Sequence, residues 1–131
     1  MIILDYILDS YAWIEYTLGS QKGLVVRKII NNQKNRLITL HSSLAELYQW
    51  CLREGKSFEQ MITIVKTFSS IEPINLRLWL EAAKIRNEKK SAIKDFGLMD
   101  AIMLTKQNET GWKIITGDKH FRNLKGVVFL K

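Results

Sequence analysis

The stretch Ile2-Ile3-Leu4-Asp5-Tyr6-Ile7-Leu8-Asp9-Ser10-Tyr11-Ala12-Trp13-Ile14 changes character at its middle. From Ile2 to Leu8 it is an apolar run broken only by Asp5, which reads as a first strand. Past Asp9 the spacing turns helical. Ser10 can cap a helix that runs to about Leu18, where Gly19 stops it. A strand that gives way to a helix at an acidic residue is the opening of a βαβ unit.

The rest of the chain repeats the alternation. A second helix follows Ser20, with Leu24, Val25, Ile29 and Ile30 as its apolar face. Arg36 to Leu40 reads as a second strand. Ser43-x-x-Glu46 has the form of a capping box and is expected to open a helix carrying Leu44, Leu47, Tyr48 and Cys51, ending near Gly55. Ser57-x-x-Gln60 opens another. Ser70 to Ile74 is a third strand, which Pro73 confines to an edge or a strand end. Asn75 caps a helix through about Lys89, and a polar, basic loop leads to Asp95-Phe96-Gly97. Leu98 to Thr110 is helical and ends at Gly111. Trp112 to Thr116 is a fourth strand and Val127 to Leu130 a fifth. Strands separated by helices imply an α/β fold, with a parallel sheet flanked by helices on both faces. In such sheets the functional crevice lies beyond the carboxyl ends of the strands, at a switch point in strand order.

Composition narrows the class. The chain has 131 residues, 47% hydrophobic and 25% charged. That balance suits one folded domain, read here as residues 1–131, with no linker, repeat or low-complexity stretch. No apolar run approaches the roughly 18 residues of a membrane span. No cation precedes Lys22, the opposite of a secretory signal, so a cytoplasmic location is expected. A single cysteine, Cys51, excludes an internal disulfide framework and a multi-cysteine zinc site. The net charge is +7. It is unevenly spread: Thr17 to Ala45 contains Lys22, Arg27, Lys28, Lys34 and Arg36 but no acid. Lys84 to Lys94 and Lys113 to Lys131 are also strongly basic. Such a surface attracts a phosphate-rich partner, with affinity that falls as salt rises.

Against that background the carboxylates at element ends stand out. Asp9 ends the first strand, and Asp118 follows the fourth after Thr116-Gly117. Glu46 and Asp100 lie near the starts of helices. Each alone has a plain structural reading as a turn residue, a box residue or a complement to a helix dipole. Strands one and four are expected side by side at the switch point, so the four acids converge. Clustered carboxylates do not all stay ionised without a cation. Oxygen ligands at an open site suit Mg²⁺ or Mn²⁺, and an acidic metal pocket in a basic protein suits a nuclease.

Four segments carry a family resemblance. Leu8-Asp9-Ser10-Tyr11-Ala12-Trp13-Ile14, Ser43-Leu44-Ala45-Glu46-Leu47, Gly97-Leu98-Met99-Asp100-Ala101-Ile102 and Ile115-Thr116-Gly117-Asp118-Lys119-His120-Phe121 resemble, in order and separation, the acidic motifs of PIN-domain nucleases. The likeness covers essentially the whole chain and is greatest to the small VapC-type toxins of toxin–antitoxin pairs. It implies a PIN-like three-layer fold with sheet order 3-2-1-4-5, metal-dependent RNA cleavage, a partner antitoxin and commonly a homodimer. It also implies a structured RNA target such as transfer or ribosomal RNA. Carried over, Asp9, Asp100 and Asp118 are metal ligands, and Glu46 binds a second metal or orients the attacking water. Ser10 and Thr116 offer accessory hydroxyls. Two features depart from the pattern. His120 stands where many relatives have a second acid and reads as a turn-stabilising residue. Asp5 competes with Asp9 for the first acidic position, but only Asp9 is followed by the required helix.

Three other readings compete. A phosphoacceptor domain needs an acid after strand three, where Ile74-Asn75 has none. A non-catalytic RNA-binding PIN module is disfavoured by the complete acidic set. A PIN nuclease of RNA processing, with no antitoxin, fits the motifs equally. Cys51, Trp13, Tyr16, Trp50 and Trp79 read as core, and His41 as structural.

Overall fold

The computed structural model describes residues 4–131. Ile2 and Ile3 of the sequence-read first strand lie outside the described residues. The elements run β1 (Asp5–Leu8), α1 (Ser10–Leu18), α2 (Gln21–Asn31), β2 (Arg36–Leu40), α3 (His41–Glu54) and α4 (Phe58–Phe68). They continue as β3 (Ser70–Glu72), α5 (Leu76–Lys89), α6 (Leu98–Thr110), β4 (Lys113–Thr116), a short 3₁₀ turn (Lys119–Phe121) and β5 (Val127–Phe129).

The five strands form one parallel sheet in the order β3-β2-β1-β4-β5. Strand periodicity divides the core between two faces. On β1, Tyr6 and Leu8 join Trp13, Val26, Leu47, Cys51 and Val65 beneath α1 to α4. Ile7 faces the other way, onto Leu78, Phe96, Ala101 and Ile102 beneath α5 and α6. On β4, Ile115 and Ile114 make the same division. The result is the expected three-layer α/β arrangement. Buried Trp13 finds a partner for its indole N–H in Thr39 of β2, at 3.0 Å. Gly23 lets α2 lie against α1: a Cβ there would fall 2.1 Å from the Glu15 carbonyl oxygen.

Most element signals hold. Ser20, Ser57 and Asn75 each cap the following helix by accepting a backbone N–H. β3 lies at the sheet edge and stops at Glu72, before Pro73. Two starts differ. Asp9, not Ser10, is the cap of α1: its extended backbone leaves Oδ1 to accept from Ala12 N at 2.9 Å, while Ser10 is already helical. The Ser43–Glu46 capping box does not form. α3 begins at His41 directly after Leu40, with no intervening turn, so Ser43 is inside the helix and buried. A side chain can cap only from an extended residue outside the helix. Glu46 is thereby released to face α1. Asp5 sits at the start of β1, at the opposite end of the sheet from Asp9, paired with Arg36 at 2.6 Å. Among the described residues no helix is long and apolar enough to cross a membrane.

Candidate active site

β1 and β4 are neighbours, with Leu8 beside Ile115, so both chains leave the sheet at its carboxyl edge together. Asp9 follows β1 and stays attached to β4 through its N–H to the Ile115 carbonyl, at 3.4 Å. Asp9 as a whole residue is only 7% exposed. Oδ1 caps α1, and Oδ2 accepts the Thr116 hydroxyl. Thr116 in turn accepts from Asp118 N at 3.0 Å. One hydroxyl therefore ties the first acidic segment to the fourth.

The other acids arrive from helices. Asp100 is in the first turn of α6, where Oδ2 accepts from Gly97 N at 2.9 Å. Glu46, one turn into α3, accepts the Ser10 hydroxyl at 3.2 Å. Asp118 heads the 3₁₀ turn and accepts His120 N at 2.9 Å. Asp9, Ser10, Glu46, Asp100 and Asp118 line one cavity of about 140 Å³. Tyr11 closes one side of it. Its ring packs over Gly117, where a Cβ would come within 2.2 Å of the ring, and its hydroxyl accepts from Lys22 Nζ at 2.8 Å. A larger depression of about 570 Å³ lies at the other end of the sheet, around Asp5, Arg36 and Trp112. The acids that converge are not there, so volume is a poor guide to the chemistry here.

His120 was read as a turn residue; its ring does more. Nδ1 lies 2.8 Å from Asp100 Oδ2 and 3.3 Å from Asp118 Oδ1. Among the described residues, ligand atoms of Asp100, Asp118 and His120 lie within 4.8 Å of one another. Asp9 and Glu46 share the cavity without belonging to that tightest group. The available signal was spacing: in a 3₁₀ turn, a residue two past the leading Asp can fold its side chain back toward it.

The electrostatics are those of crowded carboxylates. Burial pushes the Asp9 pKa up to about 7, against the pull of hydrogen bonds from Thr116 and Ala12, and the charges of Glu46 and Asp118 add to the rise. Burial also raises Glu46, helped by Asp100 and Asp118 and opposed by the Ser10 hydroxyl. Asp100 is raised by burial and by Asp118, and lowered by its hydrogen bonds from Gly97 and His120. Carboxylates that resist ionising together are poised to accept a divalent cation. The set fits one: hard oxygen donors predominate, with one imidazole nitrogen nearby.

The described geometry agrees with known proteins. The family model described as PIN domain matches residues 6–127. Among curated proteins none matches. VapC20 of Mycobacterium tuberculosis, a sarcin-ricin loop cleaving toxin, superposes with a TM-score of 0.74 at 14% identity, over 88% of this chain and 92% of that one. A toxin–antitoxin complex from Klebsiella pneumoniae gives 0.72 at 20% identity, over 96% and 98%. VapBC2 from Rickettsia felis, bound to a DNA fragment from its promoter, gives 0.69 at 15% identity, over 96% and 97%. Four acidic segments on a 3-2-1-4-5 sheet, all within the residues 6–127 that the model matches, place this chain in the PIN domain family.

Proposed function

We propose that the protein is a metal-dependent endoribonuclease and the toxin of a toxin–antitoxin pair, with residues 1–131 forming one PIN domain. The carrying observation is the single cavity into which four separated segments deliver Asp9, Glu46, Asp100 and Asp118. Their mutual repulsion and raised affinity for protons are relieved by a cation. Asp9, Asp100 and Asp118 would hold Mg²⁺ or Mn²⁺, and Glu46 would orient the attacking water or hold a second ion. A bound ion supplies an activated water and neutralises charge developing on phosphorus.

The chain's own groups prepare that chemistry. Thr116 fixes Oδ2 of Asp9, and Ser10 fixes Oε1 of Glu46. Gly97 N and His120 Nδ1 engage Oδ2 of Asp100, leaving Oδ1 without a protein donor among the described residues. Ligands held this way lose little freedom on binding.

Supporting the biological reading, the structural neighbours include a sarcin-ricin loop cleaving toxin and VapBC complexes. By that likeness the substrate is transfer or ribosomal RNA, the partners are an antitoxin and a second copy of the chain, and the site of action is the cytoplasm. Trp13 is fully buried and gives a partner no surface, so apolar antitoxin residues would seat on α3 near exposed Tyr48, and a partner arginine would pair with the acidic cavity.

The test is cleavage of total RNA by the purified protein. Mg²⁺ or Mn²⁺ should support it, EDTA should stop it, and Asp100→Asn should abolish it without lowering the melting temperature. Full activity in EDTA or in the variant would overturn the assignment. Co-expression with the adjacent gene should yield a co-eluting, inhibited complex; a freely active monomer with no partner would favour RNA processing instead.

A further inference from the structure

His120 stands between two surfaces. Its Nδ1 holds Asp100 and Asp118 on the wall of the acidic cavity. The same residue lines a separate open cleft of about 330 Å³ with Lys94, Asp95, Lys119 and Arg122. One imidazole thus stands between a pocket of carboxylates and a cleft of cations. Among the described residues, none of Lys94, Lys119 and Arg122 is in an ion pair, and Asp95 is the only acid in the cleft.

The cleft is built from fixed parts. Lys119 and Arg122 bracket the 3₁₀ turn that Asp118 heads, closed by Arg122 N on the Lys119 carbonyl at 3.2 Å. The Arg122 guanidinium lies over the Phe129 ring, 5.1 Å from its centre, which limits where its charge can go. On the other wall, the loop carrying Lys94 is anchored by Phe96, buried in the core, and turns at Asp95 with φ 62°. Two walls therefore hold three cations free of ion pairs among the described residues, next to the residues proposed to bind metal.

We propose that this cleft seats backbone phosphates of RNA, one on each of its three cations, flanking the phosphodiester that is cut. The inference rests on the nuclease reading of the acidic cavity and deepens it. A polyanion meets repulsion at Asp9, Glu46, Asp100 and Asp118 until metal is bound. Cations one histidine away hold the strand while leaving the carboxylates free for the ion. Lysine and arginine on a phosphate position the strand and read no base, so the cleft sets register rather than sequence.

The test uses Asp100→Asn as an uncut background and a short single-stranded oligoribonucleotide of mixed sequence as probe, followed by anisotropy over a range of salt. Lys94→Gln, Lys119→Gln and Arg122→Gln combined should weaken binding about fiftyfold at physiological salt. The slope of log affinity against log salt should flatten by about two, since each single-strand phosphate contact contributes about 0.7. The control combines Lys28→Gln, Lys34→Gln and Lys56→Gln, an equal change of charge elsewhere, and should change binding little. Melting temperature and Mn²⁺ affinity should be unaltered by the cleft substitutions in the wild-type background. Equal losses in both triple variants would mean that diffuse charge, not the cleft, binds RNA, and no loss in the cleft variant would overturn the proposal outright. If the Asp100→Asn parent binds no RNA, the nuclease reading itself fails.

Discussion

At the scale of single residues, the acidic cavity is a set of carboxylates each held by a neighbour, and His120 holds two. Its Nδ1 donor bridges Asp100 and Asp118, and Nε2 is buried without a partner among the described residues. The proton therefore belongs on Nδ1, and the ring acts as a donor that positions the carboxylates. Partners of this kind alter metal affinity by about 10- to 100-fold. His120→Ala is expected to weaken Mg²⁺ and Mn²⁺ binding alike, by that factor, in calorimetric titration. His120→Asn, which can return an N–H to the Nδ1 position, should restore most of it. A loss confined to Mn²⁺ would instead make His120 a ligand. Asp9, Asp100 and Asp118 were legible in sequence because each sits where a strand ends or a helix begins, and those places announce themselves through Ser10, Gly97 and Thr116-Gly117; Glu46 was marked only by a capping box that does not form. The role of His120 was not, because spacing says where a backbone turns and not which way a ring points.

Element by element, capping chemistry explains both what could be read and what could not. Ser20, Ser57 and Asn75 act as caps because an extended residue precedes each helix. Ser43-x-x-Glu46 carries the same letters but lies inside α3, since nothing separates β2 from that helix. A local motif cannot report that the preceding strand runs straight into the helix; that is decided by how β2 packs between β1 and β3. The close approach of α1 and α2 was equally hidden, and it depends on Gly23. A methyl group there meets the Glu15 carbonyl oxygen at 2.1 Å, backbone that can yield only by moving α1. Gly23→Ala gains helix propensity worth about 1 kcal/mol. Overpacking costs about 1–3 kcal/mol or more, and here the obstacle is main chain, so the cost should win. Urea unfolding should show a net loss of about 1–2 kcal/mol, whereas the outward-facing neighbour Leu24→Ala should be nearly neutral. A Gly23→Ala protein as stable as wild type would show that the two helices are not in rigid contact.

The whole molecule keeps opposite charges apart: its excess of cations lies outside, and its crowded acids lie together at the carboxyl edge of the sheet. The +7 surface favours a polyanion at a distance, while the cavity repels it until a cation is present. This arrangement should make stability depend on both pH and metal. In the metal-free protein, Asp9 holds its proton up to about pH 7, against an ordinary value of 3.8, and Glu46 and Asp100 shift the same way. Between those values the folded state binds more protons than the unfolded chain, so stability falls as pH rises. The contribution is intact below about pH 4 and lost by the time pH passes about 7. A divalent cation should reverse the loss, because it would bind the ionised carboxylates of the folded form and not the unfolded chain. At a hundred times its dissociation constant it adds about 2.7 kcal/mol. The melting temperature in EDTA should therefore decline from pH 5 to pH 8, and added Mn²⁺ should raise it by several degrees at pH 8 and far less at pH 5. Asp9→Asn removes the most strongly shifted of these groups while its amide oxygen can still cap α1. That variant should melt higher than wild type in EDTA at pH 8, gain little from Mn²⁺, and show a flatter pH dependence. An EDTA melting curve insensitive to pH in the wild type, or a Mn²⁺ response undiminished by Asp9→Asn, would separate the acidic cavity from the metal and leave the clustered carboxylates without the role assigned to them.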